Sequence, residues 1–289
     1  MHIAKLIARD LKQVYSHAYN KQHKIAALSR YIKYLLLKAR GTAKTKLHVW
    51  DNRNLFWYKD SKQGTWLLFN YIIDWEEYKL IEHFAKPDST IVDVGANVGY
   101  YTLWASKFNG QGKVYSFEPN DLNFQRLSEN INNNPSVQHI VPIKNAVSNE
   151  CGVVYMTNEL DTLNHIVETG SPLGSGTVEV PCVTLDHFAE ANKITKIDYL
   201  KIDVEGFEFE VLDGAKKMLA DNRIGIIQVE INNALDNSGH TSQQLLNLFA
   251  AHGYSLCSYS VKDKRLVKID YDENRENYFV VSSKLQHLF

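Results

Sequence analysis

Hydrophobic residues recur along the chain with a helical period up to about residue 36 and with a different pattern after it. The first 36 residues predict two helices, each with an apolar stripe on one side and Lys, Arg and His on the other. Gly41 and Thr42 end the second helix. The apolar positions are Ile3, Leu6, Ile7, Leu11, Val14, Tyr15 and Ala18, then Ile25, Leu28, Tyr31, Ile32, Leu35 and Leu36.

The middle of the chain carries an alternating pattern. Apolar and polar residues alternate over residues 49–73, many of them aromatic, which predicts a small β-meander that leads into a helix at about 74–86. We therefore divide the chain into a basic helical extension, 1–48, and a second domain, 49–289, whose core is 74–289.

Strand-like and helix-like segments alternate from residue 90 onward. This alternation predicts an α/β fold with a doubly wound parallel sheet and helices on both faces. Residues 150–183 depart from it, because two β-like segments there flank a loop rich in Gly and Ser, as in a β-hairpin that folds over the site as a lid. The predicted strands are 90–94, 113–117, 139–146, 197–203, 224–231, 254–259 and 277–282. The predicted helices are 100–108, 121–133, 184–192, 207–221 and 241–252.

Charge is distributed unevenly along a chain whose net charge is only −1. Residues 1–48 hold eleven Lys or Arg and one acid, Asp10, so the remainder is acidic. The basic helices either pack as a cap on the main domain or a second subunit, or lie on an anionic membrane surface through residues 1–40. We expect no nucleic acid partner. Whether the chain forms a homo-oligomer stays open.

The location of the protein follows from its cysteines and its apolar segments. Its three cysteines are far apart in the sequence, which disfavours a disulfide framework and a structural zinc site and fits a reducing compartment. The most apolar stretch, 66–73, is too short to span a bilayer, and the N-terminus does not resemble a signal peptide. We expect a cytoplasmic protein, at most peripheral to a membrane.

A glycine-containing turn follows the first predicted strand of the sheet. Gly95, Asn97 and Gly99 allow a ligand to approach the backbone, at the strand end where α/β sheets bind ligands. The next strand ends at Glu118, an acid able to accept hydrogen bonds from both ribose hydroxyls, and Pro119 fixes the turn after it. Such an acid serves NAD and S-adenosylmethionine alike, but the spacing lacks the glycine pair that favours a pyrophosphate.

Five motifs then resemble the FkbM-type S-adenosylmethionine-dependent methyltransferases. The resemblance covers roughly residues 74–283 and leaves the basic extension outside it. It implies a Rossmann-like class I methyltransferase fold, with a mostly parallel seven-stranded sheet whose last strand is antiparallel. The motifs are Val92-Asp93-Val94-Gly95-Ala96-Asn97-Val98-Gly99-Tyr100-Tyr101-Thr102, Phe117-Glu118-Pro119-Asn120, Asn145-Ala146-Val147-Ser148, Val183-Thr184-Leu185-Asp186 and Lys201-Ile202-Asp203-Val204-Glu205-Gly206-Phe207-Glu208.

The resemblance also implies where the cofactor lies. The first motif would cradle the methionine end, and Glu118 would hold the ribose. Asn145 and Ala146 would lie beside the adenine, although Asn145 fits equally well as a turn residue. The predicted cofactor residues are Asp93, Gly95, Asn97, Gly99, Tyr101, Thr102, Glu118, Pro119, Asn120, Asn145, Ala146 and Asp203.

Three acids are the candidate catalytic residues. Asp203 and Glu205 end the fourth strand and Glu230 ends the fifth, and both strand ends meet at the same sheet edge as the cofactor. A carboxylate there either takes the proton of an attacking alcohol, with Asp203 as the first candidate, or Asp203 and Glu230 hold Mg²⁺ or Mn²⁺. Glu205 alternatively caps the following helix, and Glu230 alternatively caps a helix or forms a structural salt bridge.

The expected activity is O-methylation of a sugar or other polyhydroxylated acceptor, as the resemblance implies. Tyr100, Asn164 and His165 are the candidate acceptor-binding residues, the last two in the lid. Two alternatives stay open at this point. One is an NAD-linked oxidoreductase on a similar sheet, and the other is a non-catalytic protein that binds a membrane or a partner through its basic helices.

Overall fold

The computed structural model describes residues 2–50, 53–157, 166–167 and 177–288. These residues form two compact units, Met1–Tyr78 and Lys79–Phe289. No helix in the described ranges is long and apolar enough to cross a membrane.

The first unit joins helices to a β-hairpin. Asn20 is fully buried and its amide donates to the Val14 and Phe69 carbonyls, at 2.8 and 2.9 Å, which ties the helices together. The hairpin pairs β1 with β2 in antiparallel register. The elements are α1 His2–Ser16, α2 Ala18–Gln22, α3 Lys24–Ala39, β1 Lys44–Val49, β2 Arg53–Tyr58, α4 Lys62–Asn70 and α5 Trp75–Phe84, the last of which crosses into the second unit.

Two predictions for this region were wrong. The predicted boundary at residue 48 falls inside β1, and the compact unit extends to Tyr78. The predicted β-meander over 49–73 is a hairpin followed by the helix α4. Ser61 begins that helix by accepting the Gly64 N–H at 3.0 Å. A short apolar run such as 66–69 fits a buried helix as well as a strand, so its pattern alone did not distinguish them.

The second unit is built on an eight-stranded mixed sheet. The strand order is β13-β12-β14-β11-β10-β3-β4-β5, and β14 runs antiparallel to β11. All seven predicted strands are present, and the doubly wound α/β fold is confirmed. The eighth strand, β13, was not predicted and pairs with β12 at the edge. The strands are β3 Thr90–Val94, β4 Lys113–Phe117, β5 Ile140–Ile143, β10 Ile197–Ile202, β11 Ile224–Glu230, β12 Tyr254–Ser260, β13 Arg265–Lys268 and β14 Asn277–Ser282.

A smaller sheet contains the predicted hairpin. β7 pairs antiparallel with both β8 and β9, and β9 pairs parallel with β6. The predicted strand 139–146 is thus divided, since β5 belongs to the large sheet and β6 to the small one. The role of the hairpin as a lid stays a prediction. The strands are β6 Ala146–Val147, β7 Gly152–Thr157, β8 Ile166–Val167 and β9 Thr177–Val183.

Helices cover the large sheet, and one predicted helix is divided in two. A Cβ at Gly214 would lie 2.1 Å from the Ser148 carbonyl oxygen, so only glycine allows this close approach where the predicted helix 207–221 breaks. The helices are α6 Tyr100–Ala105, α7 Asp121–Asn132, α8 Leu185–Ala191, α9 Glu208–Asp213, α10 Lys216–Ala220 and α11 Ser242–Ala251, with 3₁₀ turns at Asn233–Ser238 and Ser283–Leu288.

Candidate active site

The register of the sheet brings four strand ends to one edge. Val94 pairs with Phe117 on one side and with Ile202 on the other, and Ile202 pairs with Val229. The residues that follow these partners therefore lie side by side. They are Glu118, Gly95, Asp203 and Glu230.

The turn after β3 is shaped by positive φ angles. Gly95, Asn97 and Gly99 have φ of 81°, 50° and 85°. Asn tolerates this left-handed conformation better than most residues. A Cβ at Gly95 would lie 2.0 Å from the Asp203 carbonyl oxygen, so glycine is required where the turn meets the end of β10. The turn therefore packs closely against the end of β10.

Glu118 is held rigidly beside this turn. Its Oε2 accepts the Asn97 N–H at 2.8 Å, and its Oε1 accepts the Asn120 N–H at 2.9 Å. Burial raises the pKa of Glu118 to about 7, against the effect of these two backbone hydrogen bonds. Each carboxylate oxygen keeps a lone pair for a further donor. The residue is thus arranged to accept two hydroxyl hydrogen bonds when it is ionised.

Asp93 lies beneath the turn and is completely buried. Its Oδ2 accepts the Thr102 hydroxyl at 2.6 Å, and that hydroxyl lies 2.9 Å from the Ser116 hydroxyl. Burial raises the pKa of Asp93, and the Lys201 ammonium opposes that effect. These contacts indicate that Asp93 and Thr102 hold the start of α6 against the sheet and act on a bound ligand only through the turn.

Lys201 links the two acids Asp93 and Asp203. It pairs with Asp93 in the strand register, and its side chain is only 8% exposed. Its Nζ lies 2.9 Å from Asp203 Oδ2 and 3.6 Å from Asp93 Oδ1. A buried ammonium needs such partners, because burial without them would be very unfavourable. Lys201 therefore fixes the orientation of the Asp203 carboxylate.

The loop after β10 turns sharply at Glu205 and Gly206, with φ of 55° and 100°. Glu208 stabilises this turn, since its Oε1 accepts the N–H groups of Val204 and Gly206 at 3.3 and 3.2 Å. The predicted alternative that Glu205 caps the next helix is wrong in one respect, because Phe207 occupies the N-cap position of α9. Burial raises the pKa of Glu208 to about 8.

Glu208 makes the stability of the protein depend on pH. The folded state keeps its proton to about pH 8, whereas an unfolded chain releases it near 4.5. The stability contributed by protonated Glu208 is therefore full below pH 4.5 and is lost as the pH rises to 8. We expect Glu208→Gln to raise the free energy of unfolding by about 3 kcal/mol more at pH 8 than at pH 5. Urea unfolding at both pH values measures this, with exposed Glu190→Gln as the matched control, and equal differences at the two pH values would contradict it.

Glu230 is the second acid at the sheet edge. Its Oε1 accepts the Asn232 amide at 2.7 Å. Burial raises the pKa of Glu230 to about 7, and repulsion from Asp203 and Glu205 adds to the effect. A carboxylate with such a pKa exchanges a proton readily at neutral pH.

The acids at this edge do not form a ready metal site. Within the described parts of the chain, no group of three or more His, Cys, Asp or Glu residues is arranged to hold a metal ion. The Lys201 ammonium already neutralises Asp203. A Mg²⁺ or Mn²⁺ ion between Asp203 and Glu230 stays a prediction.

A family model described as a methyltransferase FkbM domain matches residues 93–256, which is more than half of the chain. The chain belongs to the FkbM methyltransferase family. The matched segment begins at the buried Asp93 and contains the turn, Glu118, Lys201 and the three acids.

Known proteins resemble parts of this FkbM chain. Hexuronic acid methyltransferase AglP of Haloferax volcanii is 29% identical over 160 residues, which are 55% of this chain and 62% of that protein. Methyltransferase sdnD of Sordaria araneosa is 27% identical over 153 residues, 43% of this chain and 59% of that one. The chain thus spans about three fifths of the length of these relatives. The crystal structure of a methyltransferase FkbM from Methylobacillus flagellatus KT has a TM-score of 0.43 at 14% identity and covers 68% of this chain and 44% of that chain.

Several residues predicted for the FkbM site lie away from the open edge. Tyr100 is 1% exposed, and burial raises its pKa. The structure therefore places in the interior a residue that was predicted to bind the methyl acceptor. Tyr101 is also buried, with its ring against Tyr199 at 6.3 Å and the Lys201 ammonium 5.5 Å from its ring centre. The first turn of α6 therefore supports the site from beneath.

The second and third motifs place their residues differently from one another. Asn120 caps α7 by accepting the Asn123 N–H at 3.0 Å, so its side chain serves the helix and its backbone serves Glu118. Pro119 and Asn145 are half-buried, and Ala146 is buried in β6. The predicted contact of Asn145 with adenine stays a prediction, and Asn164 and His165 lie outside the described residues.

Two residues of the FkbM site were missed from the sequence. Lys201 carried a signal, since it is a cation between the apolar residues Leu200 and Ile202 of the strand, with acids close by. Glu208 gave none that separated it from an ordinary acid in a first helical turn. Its contacts with the backbone of the preceding turn appear only in three dimensions.

Proposed function

We propose that this chain transfers a methyl group from S-adenosylmethionine to a hydroxyl oxygen of a sugar or another polyhydroxylated acceptor. The observation that carries the proposal is the order of the strand ends, with Glu118 on one side of the Gly95 turn and Asp203 and Glu230 on the other. When bound, the cofactor supplies a methyl group that is already strongly electrophilic. The protein must then orient the acceptor and manage its proton.

The turn and Glu118 fit the nucleoside end of the cofactor. Glu118 is positioned by two backbone N–H groups and retains acceptor capacity on both oxygens for the ribose hydroxyls. Glycine at position 95 allows the turn to lie directly against the end of β10, beside Asp203. These features support S-adenosylmethionine as the ligand of this edge, and family membership disfavours the NAD-linked alternative.

Glu230 is the better candidate for proton acceptor than Asp203, to which the sequence assigned the role first. Asp203 is ion-paired with Lys201 at 2.9 Å, so its carboxylate is already held by a cation. The hydrogen-bond partner of Glu230 is the neutral Asn232 amide, and the pKa of Glu230 is raised to about 7. We assign Glu230 to deprotonate the acceptor hydroxyl and Asp203 to orient it through a hydrogen bond.

The acceptor class follows from the chemistry of these side chains. Carboxylate oxygens accept the hydrogen bonds that hydroxyl groups donate, so Asp203, Glu205 and Glu230 suit an acceptor with several hydroxyls. The name of the relative AglP points the same way, since that protein is described as acting on a hexuronic acid. Transfer of a labelled methyl group to sugars, uronic acids and simple phenols tests the class. Transfer to phenols alone would contradict it, and transfer to none would favour the non-catalytic alternative.

Asp203→Asn tests the orienting role. We expect kcat to fall about tenfold or more, because the amide no longer attracts Lys201 and holds a different orientation, while the Kd of the cofactor changes by less than about threefold. Asp213→Asn is the matched control, since Asp213 forms an ion pair with Lys216 at 2.7 Å in the same unit. Wild-type turnover by Asp203→Asn would remove this residue from the reaction.

A further inference from the structure

Helix α3 has two apolar sides that face in opposite directions. One side is packed within its own unit, where Ala27 and Tyr31 are buried and the rings of Tyr31 and Tyr34 lie 5.5 and 5.0 Å from that of Phe69. At 100° per residue, the opposite side carries a second apolar row. We call this row the outer stripe. It consists of Ile25, Leu28, Ile32 and Leu36, exposed by 87, 39, 48 and 51%.

The outer stripe is a continuous row of exposed aliphatic side chains, which is unusual on the surface of a helix. Its spacing of three, four and four residues makes the side chains contiguous over about 16 Å of helix. Single exposed aliphatic residues are common, whereas a contiguous row marks a surface that binds something apolar. The packed side of α3 already anchors the helix within its own unit. The fold of that unit therefore does not explain the outer stripe.

Cations border the outer stripe on both sides. The helical period places Lys33 and Arg40 along one border and Lys24 along the other, and all three are exposed. No ion pair of these three residues occurs within the described part of the chain. Asp10, the single acid among residues 1–48, forms an ion pair with Arg9 at 3.3 Å. The borders therefore keep a net positive charge next to the apolar row.

We propose that the outer stripe and its basic borders bind the surface of an anionic lipid bilayer. An apolar row enters the boundary between headgroups and acyl chains, and flanking Lys and Arg meet the anionic headgroups. A second copy of the chain fits less well, because two stripes in symmetric contact would bring their basic borders together. The proposal is independent of methyl transfer, since it uses only residues of α3 and Arg40.

Co-sedimentation with vesicles tests the proposal on the full chain. Vesicles of equal parts phosphatidylcholine and phosphatidylglycerol should bind the wild type, and vesicles of phosphatidylcholine alone should bind it at least about tenfold less. Ile25→Ser combined with Ile32→Ser should lower binding to the anionic vesicles about tenfold or more, because two exposed apolar side chains are lost. Lys33→Glu combined with Arg40→Glu should have a similar effect.

Matched controls separate this surface from general properties of the chain. Leu122→Ser removes an aliphatic residue of similar exposure, 49%, in the other unit, and Lys113→Glu with Lys262→Glu reverses two exposed lysines there. Both controls should bind the anionic vesicles as the wild type does. Wild-type binding by the stripe variants, or equal losses in the controls, would overturn the proposal. So would a wild-type dimer that Ile25→Ser with Ile32→Ser converts to a monomer without lipid, because a second copy would then cover the stripe.

Discussion

Glu230→Gln is expected to lower kcat of methyl transfer by about 10²–10⁴-fold, the range that a positioned general base contributes. Gln keeps the size of the side chain and can still accept the Asn232 amide hydrogen bond, which spans 2.7 Å in the structure. It cannot take a proton from the acceptor. The Kd of S-adenosylmethionine should stay within about threefold of the wild-type value, because Glu230 lies across the turn from Glu118.

The pH profile gives the same prediction a second readout. Because the pKa of Glu230 is raised to about 7, the carboxylate that takes the proton forms as the pH rises through that value. Turnover of the wild type should therefore increase with pH up to about 7 and level off above it, and Glu230→Gln should lose this step. Exposed Glu276, one of the charges acting on Glu230, offers the matched control Glu276→Gln. Unchanged kcat in Glu230→Gln would exclude it as the base.

Glu118→Gln is expected to weaken binding of S-adenosylmethionine by about 100-fold, as the loss of charge-assisted hydrogen bonds to two hydroxyls implies. In the protein both carboxylate oxygens accept backbone N–H groups, from Asn97 and Asn120. Gln has one carbonyl oxygen, so its NH₂ group would face one of these donors and disturb the turn as well.

The pH dependence of cofactor binding distinguishes Glu118 from Glu230. Burial raises the pKa of Glu118 to about 7, so the affinity for the cofactor should fall as the pH drops below that value and the carboxylate takes up a proton. The protonation of Glu118 changes the Kd of the cofactor, whereas the protonation of Glu230 changes kcat. Asp121→Asn is the matched control, since exposed Asp121 lies next to the same motif and pairs with Lys144. Equal Kd values for wild type and Glu118→Gln would contradict the assignment.

The sheet was predictable because its strands are apolar and its turns carry distinctive residues. β3 and β11 are almost completely buried, as parallel strands covered on both faces should be. The order of strand ends then followed from the topology, which brought Glu118, Asp203 and Glu230 to one edge.

Prediction from the sequence failed where every residue of an element is buried and where the contacts join residues far apart in the chain. All six residues of α6 are buried, so the helix has no polar side that would distinguish its inner from its outer face. The sequence therefore did not indicate that Tyr100 points inward. The ion pair of Lys201 with Asp93 joins residues far apart in the chain, and only the register of β10 against β3 reveals it. The close approach at Gly214 depends on Ser148 from a separate segment.

Calorimetric titration of the folded protein with S-adenosylmethionine and with its demethylated product tests the central claim most directly. The claim is that the turn at residues 95–99 and Glu118 form a methyl-donor site. We expect heat of binding for both ligands at one site, with affinity reduced about 100-fold in Glu118→Gln and unchanged in Asp121→Asn. A folded wild-type protein that gives no heat of binding with either ligand would contradict it.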